Sequence, residues 1–312
     1  MKKRLSKKII ITLLILAAIL VPAAIVYTKY PAVRSITERG YYRFLETYSR
    51  DALWQEQMDR IDQFPALNQT AGDEFRYAFT YLPVYDEMKK EYPLEEKAGD
   101  GDTMTRSLNL MEWFCSNTKY NGASFRNPFK AKNRYMNLMR YALKNTFSHS
   151  VNCADMAMGF SDCLLAVGIC AMPVWLMNTN NCHVVVHVYL PEEERWVMLD
   201  PSFDAYLLDG AGKVLDLIEI RARTAKKEPL EIARYSLNGS QFFKENYLPF
   251  FVQSSLFEFG IWRGNAPELR ESDCVWLEPE GFDVDTDTLT LISEEQFLAK
   301  PIPVPDLEAI SP

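Results

Sequence analysis

The hydrophobic pattern changes its period once between Asn152 and Asp200, and that change restricts the fold more than any other stretch of the 312 residues. In NCADMAMGFSDCLLAVGI, which begins at Asn152, apolar residues at Met156, Phe160, Cys163, Leu164 and Val167 recur every three or four positions, the spacing of an amphipathic helix. Asn152 is placed as the N-cap with Asp155 three residues later in a capping-box-like arrangement, so Cys153 opens the helix. Three apolar runs follow: AMPVWLM (171–177), HVVVHVYL (183–190) and RWVMLD (195–200). They are mainly β-branched or apolar, and PEEE between the last two reads as a turn, which predicts an antiparallel hairpin. A helix followed by consecutive antiparallel strands makes the fold class α+β.

The flanks are organised differently. Residues 31–103 read as a helical juxtamembrane segment, because Tyr41, Phe44, Leu45, Tyr48, Leu53 and Trp54 share a helical face. EEKAGDGDT is a loop, and a helix is predicted from Met104 to Thr118 with Leu108, Met111, Phe114 and Cys115 on its apolar face, which makes Cys115 a packing residue. After NPFK, a further helix covers Arg134 to Lys144. The core is placed at 104–210, and 211–312 reads as a C-terminal β-containing extension. Its stretch 242–262 is strongly aromatic, but Lys244, Pro249 and Glu258 argue against a membrane span there. The tail from Lys300 is Pro-rich and extended.

The first thirty residues bear on location. Lys2, Lys3, Arg4, Lys7 and Lys8 precede an uncharged run from Ile9 to Tyr27, nineteen residues long. That is close to the ~20 residues a helix needs to cross a bilayer, and it exceeds the roughly 7–15 residues of a cleavable signal's apolar core. The expectation for 1–30 is a retained signal anchor, single-pass in the cell membrane, with secretion after cleavage as the alternative. The positive-inside rule then places the C-terminal bulk outside. The formal charge of −8 includes six Lys/Arg and no acid in residues 1–30, which leaves −14 for the remainder and argues against a nucleic-acid partner. Six cysteines (115, 153, 163, 170, 182, 274) are an even number, which in an exported protein invites a disulfide reading, but they are spread thinly and a core of this size does not require disulfides.

Cys153, His183 and Asp200 supply a nucleophile, a base and a group to orient it. A thiol is mostly protonated at neutral pH, and a helix start offers it partial positive charge and unpaired N–H donors. A carboxylate at Asp155 works against that field, so a cationic imidazole is also needed. On a strand, His183 and His187 stand four residues apart at about 3.3 Å each, roughly 13 Å, too far for one zinc, so no metal is expected there. An even-numbered turn puts Asp200 opposite Val185, diagonal to both histidines, and spacing alone leaves open which imidazole faces Cys153. His149 lies in a polar loop, and His187 reads as a satisfied histidine on a half-buried strand. Trp175 and Trp196 read as core, with shielding of an intermediate as their other use. Asp283, Asp285, Asp287 and Glu294 have the spacing of a calcium loop, but Thr288 occupies the place of its glycine, so the reading is a solvated acidic turn.

The stretch from Cys153 to Pro201, with a helix-leading Cys, LLAVGI, a strand beginning with His, and RWVMLDPSF, resembles the transglutaminase-like superfamily of papain-type thiol enzymes. The helix ending in EWFCSNTKYN resembles the segment before the cysteine in that family and extends the likeness to about 104–210. The resemblance implies a papain/transglutaminase-like core with the Cys-bearing helix packed on an antiparallel sheet. It also implies Cys153 as nucleophile, His183 as base and Asp200 as the orienting residue, with no cofactor. The family's usual glycine two residues before the nucleophile is Val151 here, and His187 stands where an acidic or polar residue is frequent. The expected chemistry is attack by Cys153 on a carboxamide, a protein glutamine, giving a thioester resolved by an amine or water. A cysteine peptidase or amidase using the same triad is the alternative, and so is a non-catalytic domain that binds peptide or cell-wall material. The expected partners are a protein or peptide substrate, cell-surface or cell-wall material among them, and the membrane through the N-terminal helix.

Overall fold

The computed structural model describes residues 55–56, 58–70, 75–122, 134–146, 149–178, 181–235, 247–265, 274–282 and 290–304. The expected anchor (1–30), the apolar helical face of 41–54, the break at NPFK and the three aspartates of the acidic turn lie outside them. Among the described residues, no helix is long and apolar enough to cross a membrane.

After helical residues at 58–63 come a short strand, β1 (Ala78–Thr80), and the helices α1 (Pro83–Glu91), α2 (Leu94–Ala98), α3 (Thr103–Ser116), α4 (Arg134–Ala142) and α5 (Cys153–Ala166). Then come β2 (Ala171–Asn178), β3 (Asn181–Leu190), β4 (Arg195–Leu199), β5 (Tyr206–Leu208), α6 (Leu217–Ala225) and β6 (Glu231–Arg234). After a wide helical turn at Tyr247–Val252 follow β7 (Glu258–Trp262), β8 (Cys274–Leu277), β9 (Thr290–Leu291), α7 (Glu294–Leu298) and β10 (Ile302–Val304). This is a mixed α+β protein.

Helix α5 has chemically defined ends. The Asn152 side chain accepts a hydrogen bond from the Asp155 backbone N–H at 2.9 Å, satisfying one of the donors a helix start leaves open. At the other end Gly168, at φ 78°, lets its N–H reach Leu165 O (3.0 Å) while the Ile169 N–H reaches Leu164 O (2.9 Å), the doubled closure of a Schellman turn. Asn152→Ala is expected to lower stability by ~1 kcal/mol in a denaturant melt, and to loosen the turn that holds Cys153. An amphipathic helix was the expectation, yet every side chain from Asp155 to Ala166 is buried. Helices α1, α3 and α4 cover the face turned away from the sheet, so α5 is a central helix buried all round.

The sheet runs in the order β4, β3, β2, β7, β8, β9, antiparallel except for the parallel pair of β8 and β9. The hairpin expected from PEEE is present, with Val186 opposite Leu199. One step further, that register sets Asp200 across from Val185. Alternation divides β3 between two cores: Val184, Val186 and Val188 face α5, while Val185 and Tyr189 face a second core with Trp196, Phe257, Phe259 and Phe297.

The sequence boundaries do not coincide with structural ones. Strands β7, β8 and β9, from the stretch set apart as a C-terminal extension, continue the core sheet beside β2, with Val174 opposite Ile261. Tyr85, Met88, Leu94 and Ala98, from the stretch read as juxtamembrane, lie in the same buried core as α5. Even the tail returns: β10 pairs in parallel with β1, Phe79 opposite Pro303. In each case the partner lies far away in sequence, where local periodicity carries no signal of it.

Candidate functional site

Each member of the Cys153, His183 and Asp200 set is positioned by a different element. Cys153 is the first residue of α5, and the approach to it is pinned by a bridge in which the Val151 N–H donates to Lys119 O (2.9 Å) and the Asn121 N–H donates to Val151 O (2.8 Å). His183 sits near the start of β3. Asp200 follows β4 at the head of a tight turn, where its backbone N–H donates to Ala205 O at 2.8 Å and its Oδ1 accepts from the Ser202 N–H at 2.9 Å. That bond fixes the carboxylate's rotation and leaves Oδ2 for the histidine.

His183 Nε2 and Asp200 Oδ2 are 2.7 Å apart, and both side chains are essentially inaccessible, at 1% and 0% exposure. A carboxylate only accepts, so Nε2–H is the donor and Nδ1 is the ring nitrogen left for another partner. The Cys153 thiol lies within hydrogen-bonding reach of this imidazole. Burial alone disfavours the imidazolium. The Asp200 charge and hydrogen bond, with a smaller contribution from Cys153, outweigh it and push the His183 pKa up to about 10. Cys153 itself is partly exposed. The arrangement is therefore a thiol on a partly exposed residue, backed by a buried pair that holds a proton.

Aromatic rings enclose the pair. Phe203 lies 5.9 Å from the His183 ring and contacts Tyr120 (5.2 Å), Tyr235 (5.8 Å) and Tyr247 (5.1 Å). The Tyr247 phenol sits beside the Asp200 carboxylate without an aligned hydrogen bond; burial first, and that negative charge second, push its pKa well above the ordinary value. None of these rings was singled out from the sequence. The aromatic density of 242–262 was visible there, but nothing in the spacing tied Tyr247 to a turn some fifty residues upstream.

The other candidates are placed elsewhere. His187 faces the second core, stacked on Trp196 (5.3 Å) and against Phe297 (5.3 Å), 0% exposed. Neither of its ring nitrogens has a hydrogen-bond partner, and burial pushes its pKa down to about 3. The sign follows: a folded-state pKa below the unfolded 6.5 means that stability is lost as pH falls from about 6.5 towards 3. His187→Leu is expected to remove that acid limb, on the order of 4 kcal/mol at its end, from the difference between variant and parent in urea melts run against pH. His149 bonds Thr146 Oγ1 through Nδ1 (2.7 Å) and packs on Tyr141. Trp196 is core and donates to Ala299 O, whereas Trp175 is half-buried on the α5 side, 4.8 Å from Trp262. Cys115 is buried with its thiol on Pro201 O, and all six cysteines are free thiols. Glu294, the last position of the calcium-like spacing, starts α7 and accepts from Gln69 Nε2. Among the described residues, no three His, Cys, Asp or Glu side chains are grouped to hold a metal.

No family profile matches this chain, and no curated relative does. Among solved structures it is similar to a proposed cysteine protease from Cytophaga hutchinsonii, at 15% identity and a TM-score of 0.29, over 49% of this chain and 50% of that one. The chain thus spans about half the length of that neighbour, and a likeness of this order carries no argument about activity.

Proposed function

We propose that this protein is a thiol enzyme that transfers an acyl group from a carboxamide, a protein glutamine in the first reading, through a thioester on Cys153 to an amine or water. The observation that carries the reading is a histidine buried against a carboxylate on one side and reached by a helix-opening thiol on the other. His183, held as the imidazolium by Asp200 at Nε2, pairs through Nδ1 with the thiolate of Cys153, whose proton it carries. The sulfur attacks the carbonyl carbon. The oxyanion that forms lies near the start of α5, where the Cys153 backbone N–H is one of the donors left open by the helix. His183 then protonates the departing nitrogen, and ammonia leaves. The acceptor, deprotonated in its turn by His183, attacks the thioester and frees the thiol.

With water as acceptor the same steps make an amidase or peptidase, because the acceptor is chosen by the shape of the surrounding pocket and not by the triad. The lysine-rich start and the apolar run that follows support a membrane-anchored enzyme working outside the cell, on protein or cell-surface material. The test is incubation of full-length protein with a glutamine-containing donor and a fluorescent primary amine. Label in the donor, dependent on Cys153, supports transfer; ammonia release or peptide cleavage without label supports hydrolysis. Neither product from a folded protein overturns the enzymatic reading.

A further inference from the structure

The face of the sheet against which α5 packs continues past the helix, and its strand registers bring separated residues into rows. Met177 pairs with Cys182 on one side and with Glu258 on the other. Phe259 pairs with Leu277, so one step on, Glu258 stands opposite Glu278. Cys182, Met177, Glu258 and Glu278 therefore form one row with their side chains on a common face. Cys182 begins it beside the site, since the Cys153 sulfur is close enough to add to the burial that raises the Cys182 pKa.

The next row carries the floor. Trp175 pairs with Gly260, and Gly260 with Trp276. A Cβ at Gly260 would stand 2.8 Å from the Trp276 ring, so the indole lies directly over that glycine. Trp262 packs beside Trp175 at 4.8 Å, and all three tryptophans are half-buried.

The two glutamates are out of keeping with this setting. Glu278 is 2% exposed, and neither of its carboxylate oxygens has a hydrogen-bond partner. Glu258 is half-buried directly across from it. Arg60 is the charged neighbour of Glu258, but its guanidinium also covers the Phe257 ring at 3.8 Å and donates to Asn178. Burial, with the neighbouring Glu258 charge second, raises the Glu278 pKa to about 7, and burial raises Glu258 against the opposing pull of Arg60. A buried carboxyl without a partner is costly, and a cation between two such groups would remove the cost.

We propose that Glu258 and Glu278, above the ledge of Trp175, Trp262 and Trp276, form a subsite for a lysine-like ammonium side chain of the substrate presented to Cys153. Glu258 is its mouth and Glu278 its closed end. The indole faces take the hydrocarbon stem and add attraction for the cation. Two strand spacings, about 10 Å, separate the Cys182 column from Glu258, within reach of a long side chain one or two residues from the reacting carbonyl. The inference rests on the reading of Cys153 as the attacking thiol.

The experiment alkylates full-length protein with two iodoacetamides, one carrying a six-carbon arm that ends in ammonium and the other the same arm ending in methyl. Site-resolved mass spectrometry follows Cys153. The ammonium reagent is expected to react about tenfold faster than the methyl reagent, with the ratio falling close to one in Glu258→Gln and in Glu278→Gln while the methyl reagent's own rate holds. A ratio that is the same in parent and variants overturns the subsite. A calcium-dependent rise in melting temperature that Glu278→Gln removes also overturns it, in favour of a metal. If Glu278→Gln does not fold, the half-exposed Glu258→Gln carries the test alone. Failure of the underlying reading looks different: the methyl reagent would then alkylate Cys153 no faster than free cysteine, whatever the charge ratio.

Discussion

Cys153→Ala is expected to abolish amine incorporation and ammonia release, by ~10⁴-fold or more, while the fold persists. At the helix start Asn152 is spent on the cap; Cys115, Cys163 and Cys170 are buried, and Cys182, though beside the site, is carried by β3 and not by the start of α5. The structural cost is small. Cys153 is partly exposed at the first helical position, where alanine is the best helix former, so the melting curve should move by less than ~1 kcal/mol. Product formation read beside circular dichroism melting separates the two effects. Activity retained in a folded Cys153→Ala protein would remove Cys153 from the chemistry altogether.

Asp200→Asn is expected to cost about 10²–10⁴-fold in turnover, because an amide neither selects the Nε2–H tautomer of His183 nor stabilises its imidazolium. It also reverses a pH dependence. In the parent protein the folded-state pKa of His183, about 10, lies above the unfolded 6.5. The stabilisation from the pair is therefore fully present below pH 6.5 and is lost as pH rises through about 10. Asparagine removes the carboxylate charge and leaves burial, the largest single influence on His183 and of opposite sign. The folded-state pKa then falls below 6.5, and the variant loses stability towards acid instead of base. Asp200→Ala, which takes away the acceptor at Nε2 of the buried imidazole, should be destabilised by about 3–5 kcal/mol near neutral pH. Urea melts between pH 5 and 10 read both. Parallel profiles for parent and Asp200→Asn would show that the carboxylate does not hold the histidine proton.

What was legible in the sequence was local. Helix α5 announced its start, because Asn152 satisfies a backbone N–H only three residues on. The β3–β4 hairpin was readable for the same reason: a short turn fixes the register, and alternation then fixes the faces. The second half of the sheet was not readable. EFGIW and CVWL are ordinary strand sequences, and nothing nearby says that they continue β2, some eighty residues upstream. The aromatic enclosure of the histidine pair was hidden likewise, since Tyr120, Phe203 and Tyr247 converge from three distant segments.

The sequence by itself determined that a thiol opens a helix, that two histidines share one face of the next strands, and that Asp200 lies diagonal to both. Only the tertiary structure decided between the histidines. Local geometry treats His183 and His187 alike, and each is almost fully buried. Around His183 the packing brings in a carboxylate and the start of α5, so the ring is held in its charged form; around His187 it brings in Trp196 and Phe297, so the ring stays neutral. The charge state of a buried imidazole is set by what folds against it, and those partners come from segments that the strand's own pattern cannot specify.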